Sequence, residues 1–282
     1  MIAIDLDGTL LDRHGQVSDE NLTAIAKAQR AGVMIVPCTG RGWREAGTVI
    51  GRLSGVSVGV FVTGAVVSQI ESGQSLDLAM IEPNLAMRLV RFFEHLPEAV
   101  LVFRESSLCG HDYLVTGRGS LTAATQWWFE MTGATVHFQE KVTPVDLHHT
   151  LRVGIVASPQ RVEPLRQQLR EAFSDQVFVQ SFEAVTSSDP TQSVHILEVF
   201  AAGVDKWRGL SWIADQHGIE PRQIAAIGDQ SNDLAMLESA GCGIAMANAV
   251  EAVKAASDHI TLDCDQHGVA HAIGQLLAAK WG

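Results

Sequence analysis

The chain has 282 residues, of which 46% are hydrophobic and 18% are charged. That apolar fraction excludes intrinsic disorder, and only 25 glycines and 8 prolines exclude collagen-like and low-complexity sequences. The formal net charge of −12 argues against a nucleic-acid partner, which would need clustered Lys and Arg side chains. At ~100–200 residues per domain, the length fits one large domain or two ordinary ones.

The cysteines and the apolar segments argue against secretion and against a membrane partner. The four cysteines lie far apart and form no CxxC pair, which favours reduced thiols over a disulfide framework or a zinc site. Asp5 and Asp7 fall where a signal peptide would need its apolar region. The most apolar stretch, Val56–Ile70, is interrupted by polar residues and is shorter than the ~20 residues of a membrane span. We therefore predict a cytoplasmic protein, with two short strands in Val56–Ile70.

The first elements along the chain alternate between strand and helix. The apolar run Met1–Ile4 predicts a buried strand, and Ser18 fits the N-cap of the helix that follows it. Continuous apolar runs at Val33–Val36 and Val58–Val62 predict further buried strands, with a helix through Trp43–Leu53 between them. This order predicts a parallel sheet built from βαβ units.

The middle of the chain, from about residue 78 to 190, has more polar and less continuous strand patterns. Its predicted helices are Asn84–Leu96 and Val162–Phe173, and its predicted strands are Leu101–Arg104, Leu151–Ala157 and Val177–Phe182. After Ser193 the α/β rhythm returns, with predicted strands at Ile196–Val199, Ile224–Ile227 and Gly243–Met246 and helices at Lys206–His217, Ser231–Ser239 and Val269–Trp281. We therefore predict one α/β core, residues 1–77 and 191–282, interrupted by an inserted α/β domain at residues 78–190.

Four polar segments of the predicted core are candidates for a shared site. They are Asp5-Leu-Asp-Gly-Thr9, Thr39-Gly-Arg41, Asp205-Lys206 and Gly228-Asp-Gln-Ser-Asn-Asp233. Open α/β sheets bind ligands outside the carboxyl ends of their strands, so segments that follow strands would converge there. Several carboxylates suit Mg²⁺, while a lysine and a threonine suit the oxygens of a phosphate group. These are the parts that phosphoryl transfer needs.

In their order along the chain, the segments resemble the four motifs of the haloacid dehalogenase-like (HAD) hydrolase superfamily, in its Cof-type phosphatase branch. The resemblance extends to Leu197-Glu-Val, Gly203-Val-Asp-Lys206 and Ala245-Met-Ala-Asn-Ala249. It implies a Rossmann-like parallel-sheet core with an inserted α/β cap domain. It also implies a Mg²⁺-dependent phosphoric monoester hydrolase that acts on small phosphorylated metabolites, such as sugar phosphates, through an aspartyl-phosphate.

The resemblance also implies a role for each matching residue. Asp5 would be the nucleophile, Asp7 the general acid and base, and Lys206 the cation that neutralises the phosphoryl group and restrains Asp5. Mg²⁺ would be held by Asp5, by the backbone carbonyl of Asp7 and by Asp229. The phosphate would further contact Thr39, Gly40, Arg41 and Asn232. The supporting residues would be Gly8, Thr9, Asp233 and Asn248.

Other interpretations of single residues remain open. Asn232 and Asp233 would also serve as the start of a helix, and Arg41 as a surface ion-pair residue. Trp127-Trp128-Phe129 in the inserted segment favours helix core packing over stacking on a ligand ring. Trp207 stands where related proteins usually have glycine, and its bulk would crowd the helix after Lys206.

Two rival functions use the same core. A phosphosugar mutase would return the phosphoryl group to the sugar instead of releasing phosphate. A non-catalytic phosphometabolite-binding protein would be expected to have lost a core residue, and none is lost here. The sequence leaves the oligomeric state open between monomer and dimer.

Overall fold

The computed structural model describes residues 1–184 and 194–281. The chain divides into a core unit, residues 1–78 with 205–282, and an inserted unit, residues 79–204. The first part of the core unit contains β1 (Ile2–Ile4), α1 (Asp19–Arg30), β2 (Ile35–Pro37), α2 (Gly47–Ile50), β3 (Val58–Phe61), β4 (Val66–Gln69) and β5 (Ser75–Leu78). The inserted unit contains α3 (Pro83–Phe93), β6 (Val100–Arg104), α4 (Ser106–Cys109), β7 (Tyr113–Thr116), α5 (Ala123–Thr132), β8 (Val136–Phe138), β9 (Thr150–Ala157), α6 (Pro159–Phe173), β10 (Val177–Ala184) and β11 (Val194–Ala201). The second part of the core unit contains α7 (Lys206–His217), β12 (Ala225–Gly228), α8 (Leu234–Ser239), β13 (Cys242–Ala245), α9 (Glu251–Ala256), β14 (His259–Ile260) and α10 (Gly268–Leu277).

The core unit is built on a parallel sheet with the strand order β14-β13-β12-β1-β2. The interior strand β1, between β12 and β2, is buried at every residue, as expected for a strand covered on both faces. Ile4 lies opposite Ile227 on one side and Pro37 on the other. The prediction of an α/β fold with a parallel core sheet is confirmed, as is the N-cap at Ser18, whose side chain accepts from the Asn21 N–H.

The region after β2 differs from the predicted βαβ pattern. The strand β3 pairs antiparallel with β4 and joins β2 only through a parallel bridge between Cys38 and Val60. The left-handed backbone at Val62 and Thr63 turns the chain back into a hairpin, which a periodicity argument does not detect. The two short strands predicted in Val56–Ile70 are therefore confirmed as β3 and β4, and the parallel pairing predicted for β3 is reduced to the bridge between Cys38 and Val60.

The helix predicted over Trp43–Leu53 is also shorter than expected. Regular α-helix extends only over α2, and glycines stand at its first residue and at its C-cap. Glycine lowers helix stability by about 1 kcal/mol relative to alanine, so the local sequence does not sustain a longer helix.

The inserted unit contains a second sheet, with the strand order β10-β11-β9-β6-β7-β8. Its pairs are antiparallel except for the parallel pair of β7 and β8. One face packs on α3 and α6 through an apolar cluster that includes Leu89, Phe93, Ile155 and Leu197. In α5, Phe129 packs on Tyr113, whereas Trp127 is 46% exposed. The core packing predicted for Trp127-Trp128-Phe129 therefore holds for Phe129 and not for Trp127.

The predicted strand Ile196–Val199 exists, but it does not belong to the core sheet. It lies within β11, which pairs antiparallel with both β10 and β9. Local patterning predicts that a strand forms and leaves its partners undetermined, which is why the prediction assigned it to the wrong sheet. The predicted second boundary, at residue 190, lies outside the described residues.

Within the described parts of the chain, none of the helices combines the length and the apolar character needed to cross a membrane.

The close approach of Gly64 to the start of α7 generates a stability prediction. Gly64 has φ +96°, and a Cβ there would collide with the backbone carbonyl of Asp205. We predict that Gly64→Ala lowers the free energy of unfolding by at least about 2 kcal/mol, because both the backbone strain and the overlap must be relieved. Chemical denaturation with urea measures this change.

Gly15→Ala is the matched control for Gly64→Ala. Gly15 also has a positive φ, of +71°, but no atom lies within 4 Å of the position of its Cβ. Gly15→Ala should therefore lower the free energy of unfolding only by the cost of placing alanine at a positive φ, about 1–2 kcal/mol. Equal losses in the two variants would show that the contact with Asp205 does not constrain the loop.

Candidate active site

The ends of three adjacent parallel strands bring the predicted site residues together. Asp5 follows β1, Asp229 follows β12, and Thr39 lies two residues after β2. The Asp5 N–H donates to the Ile227 carbonyl at 3.0 Å, and the Thr39 N–H donates to the Val60 carbonyl at 2.9 Å. Backbone pairing thus fixes the positions of all three polar residues at one edge of the sheet.

Lys206 supplies a cation from the first residue of α7. Asp205 caps this helix by accepting the Arg208 N–H at 2.8 Å, and the Lys206 side chain is completely buried. Its Nζ donates to Asp5 Oδ1 and to Asp233 Oδ1, each at 2.5 Å. Burial alone would lower the pKa of Lys206, but the carboxylates of Asp233 and Asp5 outweigh it and raise that pKa above its ordinary value. Trp207 does not displace the helix start.

Asp233 holds Lys206 and the turn after β12 at the same time. Its Oδ2 accepts the backbone N–H groups of Asp229 and Gln230 at 2.9 and 3.0 Å, while Oδ1 accepts Lys206. A Cβ at Gly228 would lie 2.5 Å from Asp233 Cγ, so glycine is required beside this carboxylate. Asp233 therefore does more than begin a helix: it fixes the lysine to the sheet.

Three buried carboxylates converge beside the lysine. Asp5, Asp229 and Asp233 each offer an oxygen, and these oxygens all lie within 4.8 Å of one another. Burial, with Asp233 as a further cause, raises the pKa of Asp5 well above its usual value. The same two causes raise the pKa of Asp229 to about 7.

This donor set fits a divalent cation. Three buried carboxylates against a single ammonium group leave an excess of negative charge, which adds to burial in raising the pKa values of Asp5 and Asp229. The Thr9 hydroxyl donates to Asp229 Oδ1 at 3.0 Å and the Lys206 ammonium group donates to Asp5 Oδ1, so neither of these two hydrogen bonds uses an Oδ2 atom. Carboxylate oxygens are the ligands that Mg²⁺ prefers. The residues present therefore fit the predicted metal ion, with Asp5 and Asp229 as side-chain ligands.

The side chain of Asp7 lies outside this carboxylate cluster. It is 56% exposed and forms a two-point ion pair with Arg41, in which Arg41 Nε donates to Oδ2 at 2.8 Å and Nη2 donates to Oδ1. Sequence reasoning weighed a phosphate contact against a surface ion pair for Arg41 but did not identify its partner. The pair joins residues 34 positions apart, a separation at which no local sequence pattern signals a contact.

The remaining predicted residues lie in the loops that follow β1, β2, β12 and β13. The Arg41 N–H donates to Thr39 Oγ1 at 3.1 Å. A Cβ at Gly40 would lie 3.9 Å from Asn232 Nδ2, so those two loops are neighbours. Asn248 Nδ2 donates to the Gly8 carbonyl at 2.7 Å, which holds the loop that carries Asp7. All the predicted site residues thus belong to the core unit.

Sequence reasoning did not identify two residues that hold these loops, Cys264 and Glu45. Asn248 Oδ1 accepts the backbone N–H of Cys264 at 2.9 Å, a contact that no motif indicates. Glu45 is buried, and its Oε2 accepts the Gly42 N–H at 2.7 Å beside Arg41. The spacing of Gly42 and Glu45 is that of a helix-capping carboxylate, and this signal could have identified Glu45.

Comparison with known proteins identifies the family. A family profile described as haloacid dehalogenase-like hydrolase matches residues 2–273. The chain belongs to this family. The prediction of an enzyme, a hydrolase of the HAD superfamily, is confirmed.

Relatives of known sequence and structure agree over nearly the whole chain. The chain is 28% identical over 298 residues to the phosphatase YwpJ of Bacillus subtilis, covering 98% of this chain and 99% of that protein. It is 29% identical over 300 residues to the 5-amino-6-(5-phospho-D-ribitylamino)uracil phosphatase YwtE of the same organism, covering 99% of each. A solved haloacid dehalogenase-like hydrolase from B. subtilis superimposes with a TM-score of 0.78 at 25% identity, covering 98% of this chain and 99% of that one.

The carboxylate cluster generates a prediction about magnesium and pH. Folding raises the pKa of Asp229 to about 7, so the protonated carboxyl group stabilises the metal-free protein. This contribution to the free energy of unfolding is complete below the ordinary pKa of an aspartate and is lost as the pH rises through about 7. Mg²⁺ competes with that proton, so its stabilising effect should grow between pH 5.5 and 8. We expect Mg²⁺ at ~100 times its Kd to raise the melting temperature by about 5 °C at pH 8 and by less at pH 5.5.

Two variants test whether the Mg²⁺-dependent shift in melting temperature depends on Asp229. Asp229→Asn should abolish the Mg²⁺-dependent shift, whereas Asp175→Asn, which removes an exposed carboxylate elsewhere, should retain it. A wild-type melting temperature that is insensitive to Mg²⁺ at every pH would contradict the metal assignment.

Proposed function

We propose that the chain is a Mg²⁺-dependent phosphatase that hydrolyses phosphate monoesters of small metabolites through a phosphorylated Asp5. The observation that carries this proposal is the buried Lys206 ammonium, which bridges Asp5 and Asp233 beside the carboxylate of Asp229. The arrangement orients a carboxylate nucleophile within a cluster of carboxylates that fits a divalent cation. The phosphatase relatives support the same reaction class.

Asp5 performs the covalent step in this proposal. Lys206 holds the Asp5 carboxylate in place through Oδ1, and this carboxylate attacks phosphorus as the ester P–O bond breaks. Water then attacks the phosphorylated carboxylate, so that inorganic phosphate leaves and Asp5 is regenerated. Mg²⁺, when bound, would supply the positive charge that offsets the carboxylates and the phosphoryl oxygens.

Asp7, Thr39 and Asn232 act around the phosphoryl group. Asp7 gives a proton to the leaving alkoxide and later takes one from the attacking water. The Thr39 hydroxyl accepts the Arg41 N–H, which leaves its own hydrogen available for a phosphoryl oxygen. The Asn232 amide, beside Gly40, is a second donor to that group.

The inserted unit is assigned the role of a cap that selects the leaving group, and the cytoplasm is the proposed location. The relative YwtE is named for a phosphorylated ribitylaminouracil, so that compound class joins the sugar phosphates as a substrate candidate. The substrate is thus a small phosphorylated metabolite with a polar leaving group.

A panel of phosphate monoesters tests the proposal. With Mg²⁺ present, the protein should release inorganic phosphate from at least one sugar phosphate or related compound, and kcat/KM should rank the substrates. Formation of an isomerised sugar phosphate without free phosphate would identify a mutase instead. Binding of the monoesters without any turnover would identify a non-catalytic binding protein.

Two isosteric variants test the carboxylate roles. Asp5→Asn and Asp7→Asn should each lower kcat/KM by about 10³-fold or more, since one removes the nucleophile and the other the proton donor. Asp175→Asn should keep wild-type activity. Full activity of the Asp5→Asn protein would assign the nucleophile to another residue.

A further inference from the structure

The ion pair between Asp7 and Arg41 occupies both oxygens of the proposed general acid. Nε and Nη2 of the guanidinium donate to Oδ2 and Oδ1 of Asp7. A carboxyl group that delivers a proton to a leaving oxygen needs one of its own oxygens for that contact. The guanidinium and the proton therefore compete for the same two oxygens, and breaking one of the two contacts favours proton delivery.

The backbone of Arg41 is firmly held, which leaves its side chain as the movable part. The Arg41 N–H donates to Thr39 Oγ1 at 3.1 Å, and the Arg41 carbonyl accepts the Val62 N–H at 3.0 Å. The next N–H, of Gly42, donates to the buried Glu45 carboxylate at 2.7 Å. The guanidinium keeps contact with solvent, since the Arg41 side chain is 22% exposed.

The backbone of Arg41, from which its side chain extends, lies beside Thr39, the proposed phosphate contact. Its own N–H is bonded to Thr39 Oγ1, the hydroxyl that faces the phosphoryl group in the proposed function. A guanidinium pairs in the same forked geometry with a phosphate as with a carboxylate, and a dianionic phosphoryl group attracts it more strongly than a carboxylate does. Asp7 and the phosphoryl group thus compete for one cation.

We propose that Arg41 is a positioning residue that holds Asp7 in the phosphate-free enzyme and exchanges it for the phosphoryl group when substrate arrives. The exchange frees the Asp7 carboxyl group at the moment when the leaving oxygen is in place. No covalent bond changes in this step. The inference rests on the proposed function, because it needs a phosphoryl group at the strand ends.

Binding of inorganic phosphate tests the exchange without turnover. Isothermal titration calorimetry with fixed Mg²⁺ compares the wild type, Asp7→Asn, Arg41→Gln and the double variant. Asp7→Asn should bind phosphate about fivefold more tightly, because the competitor is lost, and Arg41→Gln about tenfold more weakly. In the Arg41→Gln background, Asp7→Asn should change the affinity by less than about twofold.

Two further variants separate positioning from a structural role. Arg41→Lys keeps the charge but not the forked geometry, so it should restore only part of the phosphate affinity that Arg41→Gln loses. Arg44→Gln removes a neighbouring exposed charge of the same loop and should leave that affinity within about twofold of wild type. Melting temperatures of all the variants establish that each one is folded.

Three results would overturn the exchange. One is the same gain in affinity from Asp7→Asn with and without Arg41, which would reflect charge repulsion alone. Another is an Arg41→Gln protein with unchanged phosphate affinity, and the third is a wild type that binds no phosphate. If the effect of Asp7→Asn on phosphate affinity depends on Arg41 in a protein that hydrolyses no ester, the exchange is supported and the phosphatase is contradicted. If an ester is hydrolysed but the two substitutions act independently, the phosphatase is supported and the exchange is contradicted.

Discussion

The buried ammonium group of Lys206 is the interaction on which the rest of the site depends. A charged amine without exposed surface is tolerated only when it is paired, and here two carboxylates receive it at 2.5 Å each. The three partners come from the end of β1, the start of α7 and the turn after β12. Because Asp233 also binds the backbone at Asp229 and Gln230, the lysine position is tied to the sheet. One ion thus sets the relative position of three segments that are remote in sequence.

The single ammonium group of Lys206 does not balance the negative charge of the site. The chain carries a formal net charge of −12, and three of its carboxylates converge on this one ammonium group. An acidic protein can nevertheless bind an anionic phosphate where a divalent cation and a lysine reverse the local sign. Burial and this deficit of positive charge together raise the pKa values of Asp5 and Asp229 in the metal-free protein. In the proposed phosphatase, metal binding, proton binding and substrate binding would be coupled through one set of oxygens.

The sequence predicted the parts of the protein that local patterns determine. Apolar runs that end in polar residues located Asp5 and Asp229 at strand ends, because parallel strands align their carboxyl ends. The ion pair of Asp7 with Arg41 was not predicted, since its geometry depends on two side chains brought together by the fold. The strand β11 was assigned to the wrong sheet because alternation does not specify a partner strand. Local rules thus fixed the positions of the charges, while long-range pairing decided which charges meet.

The central claim is that Lys206 orients Asp5 for attack on phosphorus. Rapid acid quenching during turnover of a substrate, followed by peptide mass spectrometry, tests this claim most directly. The account predicts a phosphoryl group on the peptide that contains Asp5, appearing before free phosphate and absent from the Asp5→Asn protein. A phosphoryl group on a different residue, or phosphate release with no covalent species at any quench time, would contradict it.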